Sequence, residues 1–144
     1  TVIGQGVHID FKVMIGEGCK IQNGAQVYHG VTLRNHVFVG PNVTFTNDMY
    51  PRAVRNDWDL LPIIVDDHAS IGGCATIICG VYIGRYSMIA AGAVVTSDVP
   101  DHALAIGQPA RVVDYVNAAG TPLKHDMSGP PPSEELLRLD SIEI

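Results

Sequence analysis

Large apolar residues recur every six positions along the first third of the chain. They stand at Ile3, Ile9, Ile15, Ile21, Val27, Leu33, Val39 and Phe45. A smaller apolar residue follows four positions later, at Val7, Val13, Cys19, Ala25, Val31, Val37 and Val43. The same spacing returns at Val65, Ile71, Ile77, Ile83, Ile89 and Val95. An amphipathic helix repeats its apolar positions about every 3.6 residues and a strand about every two, so neither accounts for this period.

A short fixed repeat of this length predicts a parallel β-helix, which makes the chain an all-β protein. Each six-residue unit supplies one short strand and one turn, with the large residue and the one four later facing inward. Three units close one triangular coil, so residues eighteen apart lie one above another at roughly 4.8 Å. Stacked coils bury a continuous aliphatic core. The spacing does not decide the hand of the helix, and the general rule for parallel crossovers favours the right hand.

The repeat divides the chain into a β-helix over 1–100, a closing segment over 101–122 and a tail over 123–144. An excursion loop at 46–64 interrupts the β-helix, because Val65 lies twenty residues beyond Phe45 rather than eighteen. This loop carries the only tryptophan, and its length indicates either a wall of a ligand cleft or a packing loop against a neighbouring subunit. The run over 112–120 predicts a short helix, and Ser133 predicts the start of another after three prolines. Thr1 has no polar cap before it, which predicts further coils ahead of it.

Composition narrows the partners. The formal net charge of −6 and the absence of a basic run argue against a nucleic-acid partner. No apolar run approaches the roughly 20 residues that span a bilayer, so no membrane association is expected. The chain opens directly in the repeat without a signal peptide, and its three cysteines show no metal-ligand spacing. These features predict a reducing, cytoplasmic location.

Several short strings along the chain are more specific than the repeat. They are VYHGVT at 27–32, FTNDMYPR at 45–52, IICGV at 77–81, AGAVVT at 91–96 and GQPAR at 107–111. In this order they resemble the hexapeptide-repeat nucleotide-sugar N-acetyltransferases that act on UDP- or dTDP-linked 3-amino sugars. The resemblance implies a left-handed β-helix and a homotrimer. It also implies acetyl-CoA in the cleft between subunits and a sugar amine that attacks its thioester. The six histidines lack the close spacing of the zinc-binding carbonic anhydrases that share this repeat, so no metal is expected.

The resemblance also implies where the ligands bind. Asn47 matches the asparagine that lies beside the reacting amine in that family. The cofactor would lie against the turns around Ala75, Ala91 and Gly92. Ser97 replaces a basic residue that is common in the family, so contacts to the cofactor phosphates would come from Arg85 or Arg111. Gln108 stands where asparagine is usual.

Coil arithmetic supports the same place independently. Phe11, His29 and Asn47 are successively eighteen residues apart, so they should form one column at the base of the excursion loop. An imidazole with its ordinary pKa of about 6.5 suits a general base, and Asn47 could orient the amine through its carbonyl oxygen. Three alternatives for His29 remain: a solvated turn residue, a sugar contact without proton transfer, and a reaction that needs no protein base.

The loop supplies the other candidate substrate contacts, Asp48, Tyr50 and Arg52. A guanidinium suits either a diphosphate or a sugar carboxylate, although Arg52 could instead form a surface ion pair with Asp48 or Asp57. Tyr28 is also a candidate substrate contact, with packing or a contact between subunits as the alternative.

Two further functions are compatible with the same scaffold. One is transfer of an acetyl group to a hydroxyl, or of a longer acyl chain. The other is a non-catalytic assembly subunit, which would not bind coenzyme A.

Overall fold

The computed structural model describes residues 1–138, and its strands are short. In chain order the strands of the coils are β1 (Val2–Ile3), β2 (His8–Ile9), β3 (Met14–Ile15), β4 (Lys20–Ile21), β5 (Gln26–Val27), β6 (Val31–Leu33), β7 (Phe38–Val39), β8 (Thr44–Phe45), β9 (Ile63–Val65), β10 (Ser70–Ile71), β11 (Thr76–Ile77), β12 (Tyr82–Ile83), β13 (Met88–Ile89) and β14 (Val94–Val95). Each one sits at the end of a six-residue unit, as the repeat predicts.

Every third strand pairs in parallel, and this arrangement makes a three-sided prism. Face 1 contains β1, β4, β7, β10 and β13; face 2 contains β2, β5, β8, β11 and β14; face 3 contains β3, β6, β9 and β12. Register follows the eighteen-residue repeat, for example Ile3 beside Ile21 and Ile9 beside Val27. The predicted inward positions form one core, in which Ile21, Ala25 and Phe45 are at most 1% exposed. The predicted left-handed parallel β-helix is therefore confirmed.

Each face is followed by a turn, and we call these turns corner 1, corner 2 and corner 3 after the face that precedes them. The glycines that follow large residues sit where coils approach most closely. A Cβ at Gly40 would lie 2.6 Å from the backbone nitrogen of Gly73 on the next coil, well inside van der Waals contact. Glycine is required at Gly40 because the next coil's backbone fills the space of a side chain.

The excursion loop interrupts the chain at corner 2, between β8 and β9. Phe45 pairs with Ile77 and Leu33 with Val65, so partners across the loop are 32 residues apart instead of 18. The loop therefore adds 32 − 18 = 14 residues within a single six-residue unit. It ends at Pro62 rather than at the predicted residue 64, because Ile63 is already buried in face 3.

The closing segment contradicts the helix predicted over 112–120. Instead, β15 (Ala103–Gly107) and β16 (Ala110–Tyr115) form an antiparallel hairpin, and β15 pairs in parallel with β13. Ala103 and Ala105 are buried while Leu104 between them is half-buried. This alternation suits a strand, so the hairpin extends face 1 by two strands.

The described part of the tail docks on this hairpin. The buried carboxylate of Asp114 accepts hydrogen bonds from the backbone N–H groups of Lys124 and His125, both at 2.9 Å. The predicted helix start is confirmed: α1 spans Glu134–Arg138, and the N–H of Leu136 donates to Ser133 Oγ at 3.4 Å. The part of the predicted tail that lies at 139–144 is outside the described residues.

Corner 3 carries a column of flat rings that the sequence analysis did not anticipate. His36, His68, Tyr86 and His102 stack with centroid distances of 4.9, 4.6 and 5.0 Å along the column. All four have φ between 54° and 61°, the left-handed region. Burial lowers the pKa of His68 below its usual value, and the neighbouring charges of His36 and Arg85 lower it further against the opposing effect of Asp67.

This pKa shift predicts that stability declines in mild acid. The unfolded chain binds the proton of His68 more tightly than the folded chain, so stability is lost as pH falls through about 6.5 and below. We expect a His68→Asn variant to show a smaller decrease in melting temperature between pH 8 and pH 5 than the wild type. Asparagine tolerates the left-handed backbone, which keeps the turn intact. His8→Asn, on an exposed strand, is the control; equal slopes for wild type and His68→Asn would contradict the prediction.

Candidate active site

The column predicted at corner 2 is present. The rings of Phe11 and His29 stack at a centroid distance of 4.3 Å with 17° between their planes. The side-chain amide of Asn47 donates to the backbone carbonyl of His29 at 3.2 Å. The three residues therefore lie on successive coils, and His29 and Asn47 sit at the base of the excursion loop. Their spatial proximity is confirmed, whereas their chemical roles stay predictions.

The contacts of His29 determine which ring nitrogen carries the proton. Its Nδ1 lies 3.1 Å from the backbone carbonyl oxygen of Phe11, and a carbonyl oxygen only accepts hydrogen bonds. We therefore assign the proton of the neutral ring to Nδ1. In this tautomer Nε2 has a free lone pair, which is the form required of a general base.

The loop beside this column is exposed and carries a free cation. Asp48 Oδ1 accepts the N–H of Tyr50 at 3.0 Å, and the side chain of Tyr50 extends into solvent at 74% exposure. Arg52 contacts the carbonyl oxygen of Pro51 at 2.8 Å and forms no ion pair within residues 1–138. The considered pairing of Arg52 with Asp48 or Asp57 is therefore absent from the described residues. Asp57 instead contacts Arg55, at 3.5 Å.

Tyr28 faces away from the column, onto the surface of face 2. Its ring contacts His8 at a centroid distance of 5.4 Å and an interplanar angle of 54°, and it remains 37% exposed. This position is compatible with the packing alternative and with a contact to a neighbouring subunit.

The candidate cofactor turns lie at corner 1. The side chain of Ala75 is fully buried, and its backbone N–H and carbonyl already bond to Gly72 and Thr44. The N–H of Gly92 donates to the carbonyl of Gly73 at 2.9 Å. Ala91 differs, because its side chain is exposed and its N–H has no hydrogen-bond partner in the described part of the chain. Of the three, Ala91 therefore has a backbone donor available for a ligand.

Neither of the two candidate phosphate-binding arginines lies on these corner 1 turns. Arg85 follows β12 and lies at corner 3, where its backbone N–H donates to Asp101 at 2.8 Å. Arg111 lies on β16 and lines a surface depression together with Ser97. Within one chain, Arg85 and Ala91 occupy different corners of the prism, and the structure does not bring them together.

The same separation applies to the site as a whole. His29 and Asn47 lie at corner 2, while Ala91 and Gly92 lie at corner 1, one face away. Within a single chain, these two groups of candidate residues therefore lie apart and do not line one common pocket.

A cluster around one buried carboxylate lies apart from both groups of candidate residues, and the sequence analysis did not predict it. Asp66, 4% exposed, accepts hydrogen bonds from Tyr82 and from Arg34, the latter at 3.2 Å. Burial alone would raise the pKa of Asp66, but these contacts outweigh it and lower the value. The hydrogen bond to Asp66 and burial together raise the pKa of Tyr82 to about 12. These three residues come from successive coils and meet where face 3 passes into corner 3.

Asp10, which the sequence analysis also did not single out, contacts the corner 2 column. Its two carboxylate oxygens accept the backbone N–H groups of Phe11 at 2.8 Å and His29 at 3.2 Å. Its place directly before Phe11, and eighteen residues before Tyr28, was the available signal.

Residues 12–47 match the family described as bacterial transferase hexapeptide (six repeats). A serine acetyltransferase of Arabidopsis thaliana is 34% identical over 128 residues, which make up 86% of this chain and 34% of that protein. A dTDP-3-amino-3,6-dideoxy-alpha-D-galactopyranose 3-N-acetyltransferase of Aneurinibacillus thermoaerophilus is 51% identical over 61 residues, 42% of this chain and 32% of that protein. A galactoside O-acetyltransferase of Escherichia coli (strain K12) is 30% identical over 131 residues, 81% of this chain and 64% of that protein.

Solved structures give the same picture. A variant of GDP-perosamine N-acetyl transferase from Caulobacter crescentus, in complex with CoA and GDP-perosamine, has a TM-score of 0.64 and 30% identity. The alignment covers 78% of this chain and 50% of that one. Among the curated relatives above, this chain spans between 32% and 64% of their length. No helix within residues 1–138 is long and apolar enough to cross a membrane. The chain therefore carries the hexapeptide repeat of that family over residues 12–47, and it folds as a parallel β-helix.

Proposed function

We propose that this protein transfers the acetyl group of acetyl-CoA to the amine of a nucleotide-linked 3-amino sugar. The observation that carries the proposal is the corner 2 column: His29 Nδ1 lies 3.1 Å from the carbonyl oxygen of Phe11, which leaves Nε2 as the acceptor nitrogen, and Asn47 donates to the backbone carbonyl of His29 at the base of the loop. Relatives that acetylate amino sugars on nucleotides support the choice of acceptor.

The residues of the column suit amide formation. Acetyl-CoA supplies the activated acetyl group. The sugar amine attacks the thioester carbon to form the carbon–nitrogen bond, the carbon–sulfur bond breaks to release coenzyme A as its thiolate, and the amine nitrogen loses a proton. His29 Nε2 accepts that proton, while Asn47 holds the amine in line. The unpartnered N–H of Ala91 is suited to stabilise the oxyanion that develops on the thioester carbonyl.

Oligomerisation would complete the site. Because the column and the Ala91 turn lie at different corners, we propose a homotrimer in which corner 2 of one subunit faces corner 1 of the next. Acetyl-CoA would then lie in the cleft between subunits, with Ala75, Ala91 and Gly92 along it and Arg85 or Arg111 near its phosphates. Exposed apolar side chains such as Val54, at 90% exposure, are compatible with burial between subunits.

The excursion loop would hold the nucleotide sugar. Arg52 has no carboxylate partner within residues 1–138, so its charge is available to a diphosphate or a sugar carboxylate. Asp48 and Tyr50 stand beside it, and Tyr28 would contact the sugar or the neighbouring subunit. The cytoplasmic location stays a prediction.

Acetyl transfer to a hydroxyl is the second candidate. The galactoside O-acetyltransferase of E. coli matches more of this chain, 81%, than the 3-amino sugar enzyme does, 42%. A hydroxyl is a weaker acid than an ammonium group, so an O-acetylating enzyme depends more strongly on a general base.

An acceptor screen tests the proposal. Release of free thiol from acetyl-CoA would be followed with UDP- and dTDP-linked 3-amino and 4-amino sugars, each beside its hydroxyl analogue. We expect turnover with one 3-amino sugar and none with its hydroxyl analogue. Equal turnover with both would instead establish O-acetylation. Binding of coenzyme A without turnover of any acceptor would contradict the proposed substrate class, and absence of coenzyme A binding would favour the scaffold function.

A further inference from the structure

Asp10 joins two coils at the column. It follows β2, and its carboxylate is shared between the N–H of Phe11 on its own coil and the N–H of His29 on the next. These backbone hydrogen bonds, that of Phe11 first, hold the pKa of Asp10 below its usual value, so the group is a carboxylate at neutral pH. The side chain of Asp10 thus accepts a backbone hydrogen bond from each of the two turns.

This carboxylate sets the orientation of the imidazole. It holds the Phe11 turn from one side, and the carbonyl of Phe11 in turn accepts the proton of His29 Nδ1 at 3.1 Å. It also holds the backbone of His29 itself. The ring is then confined by stacking on Phe11 at 4.3 Å, so its Nε2 edge points outward.

We propose that Asp10 is a positioning residue for acetyl transfer, which keeps His29 in the tautomer that bears its lone pair on Nε2. This inference rests on the proposed function, because it assigns to Asp10 a role through His29 and no contact with substrate. A purely structural role would be different: Asp10 would close the turn and affect stability alone.

The test combines kinetics with the tautomeric state of the ring. Asp10→Asn removes the charge and one of the two acceptors. We expect kcat/KM to fall roughly 10- to 100-fold, mainly through kcat, because misorientation of a catalytic group has effects of that order. The ¹⁵N chemical shifts of labelled histidine, assigned with His29→Gln, should change from the Nδ1–H tautomer to a mixture.

Asp67→Asn is the matched control, since Asp67 also accepts a backbone N–H from a neighbouring coil, that of Asn35 at 2.8 Å, but at corner 3. It should leave kcat/KM and the His29 tautomer unchanged. If Asp10→Asn does not fold, Asp10→Glu keeps a carboxylate as acceptor and should keep the Nδ1–H tautomer of His29, and loss of that tautomer in Asp10→Glu with unchanged kcat would contradict the inference. An active wild type with an Asp10→Asn variant of equal kcat and equal tautomer would overturn this inference alone. A wild type that transfers no acetyl group would overturn the proposed function, and the inference with it.

Discussion

His29→Gln is expected to lower kcat by about 10²- to 10⁴-fold, the usual contribution of a general acid–base group. Glutamine preserves a polar side chain at the corner 2 turn but cannot accept the proton. The KM for the sugar nucleotide should change little, since the loop and not His29 would hold the nucleotide. The measurement is steady-state thiol release as a function of pH, with the oligomeric state checked by sedimentation.

The control for this variant is His36→Asn. His36 is also an exposed turn histidine, but it lies at corner 3 in the stacked column, and asparagine tolerates its positive φ of 57°. Its substitution should leave kcat unchanged. Full activity of His29→Gln between pH 6 and pH 9 would show that no protein base is needed, and that the departing thiolate or solvent takes the proton.

Phe45→Ala should destabilise the protein by about 3–5 kcal/mol, the range for removing a buried phenylalanine. Phe45 is fully buried, and it is the largest fully buried side chain within residues 1–138. It packs in a narrow core between strands of coils that cannot close around the lost volume. Urea denaturation at a fixed protein concentration measures the loss, because an oligomer's stability depends on concentration.

Phe38→Ala is the matched control, since Phe38 points outward on β7 and is 38% exposed. It should cost less than half as much as Phe45→Ala. An equal loss for both variants would mean that Phe38 is buried against a neighbouring subunit and that the core tolerates a cavity at Phe45. Because Asn47 follows Phe45 by two residues, Phe45→Ala should also reduce activity.

Much of the fold was readable from one feature, the period of six. A strand and a turn of fixed length leave no choice about which residues face inward, so the burial of Ile21 and Phe45 followed from counting. The same counting placed Phe11, His29 and Asn47 in one column. The left-handed sense of the β-helix was implied by the resemblance, because the period of six does not determine handedness.

Where the period stops, the sequence was less informative. The segment over 112–120 has apolar residues that fit a helix or a strand, and the antiparallel pairing of β16 with β15 makes its first part, up to Tyr115, a strand. The loop length was visible, but its insertion within one six-residue unit appears only in the pairing of Phe45 with Ile77.

The sequence by itself therefore determined the coil, the core and the column, because a short repeat converts position in the chain directly into position in space. Only the tertiary structure showed which side-chain and backbone groups of neighbouring coils meet, and which hydrogen bonds they form. It assigned the proton on His29 through the carbonyl of Phe11, brought Asp10 to both turns, and separated the column from the Ala91 turn by one face. These depend on side-chain direction and on hydrogen bonds between coils, and no linear spacing specifies either of them.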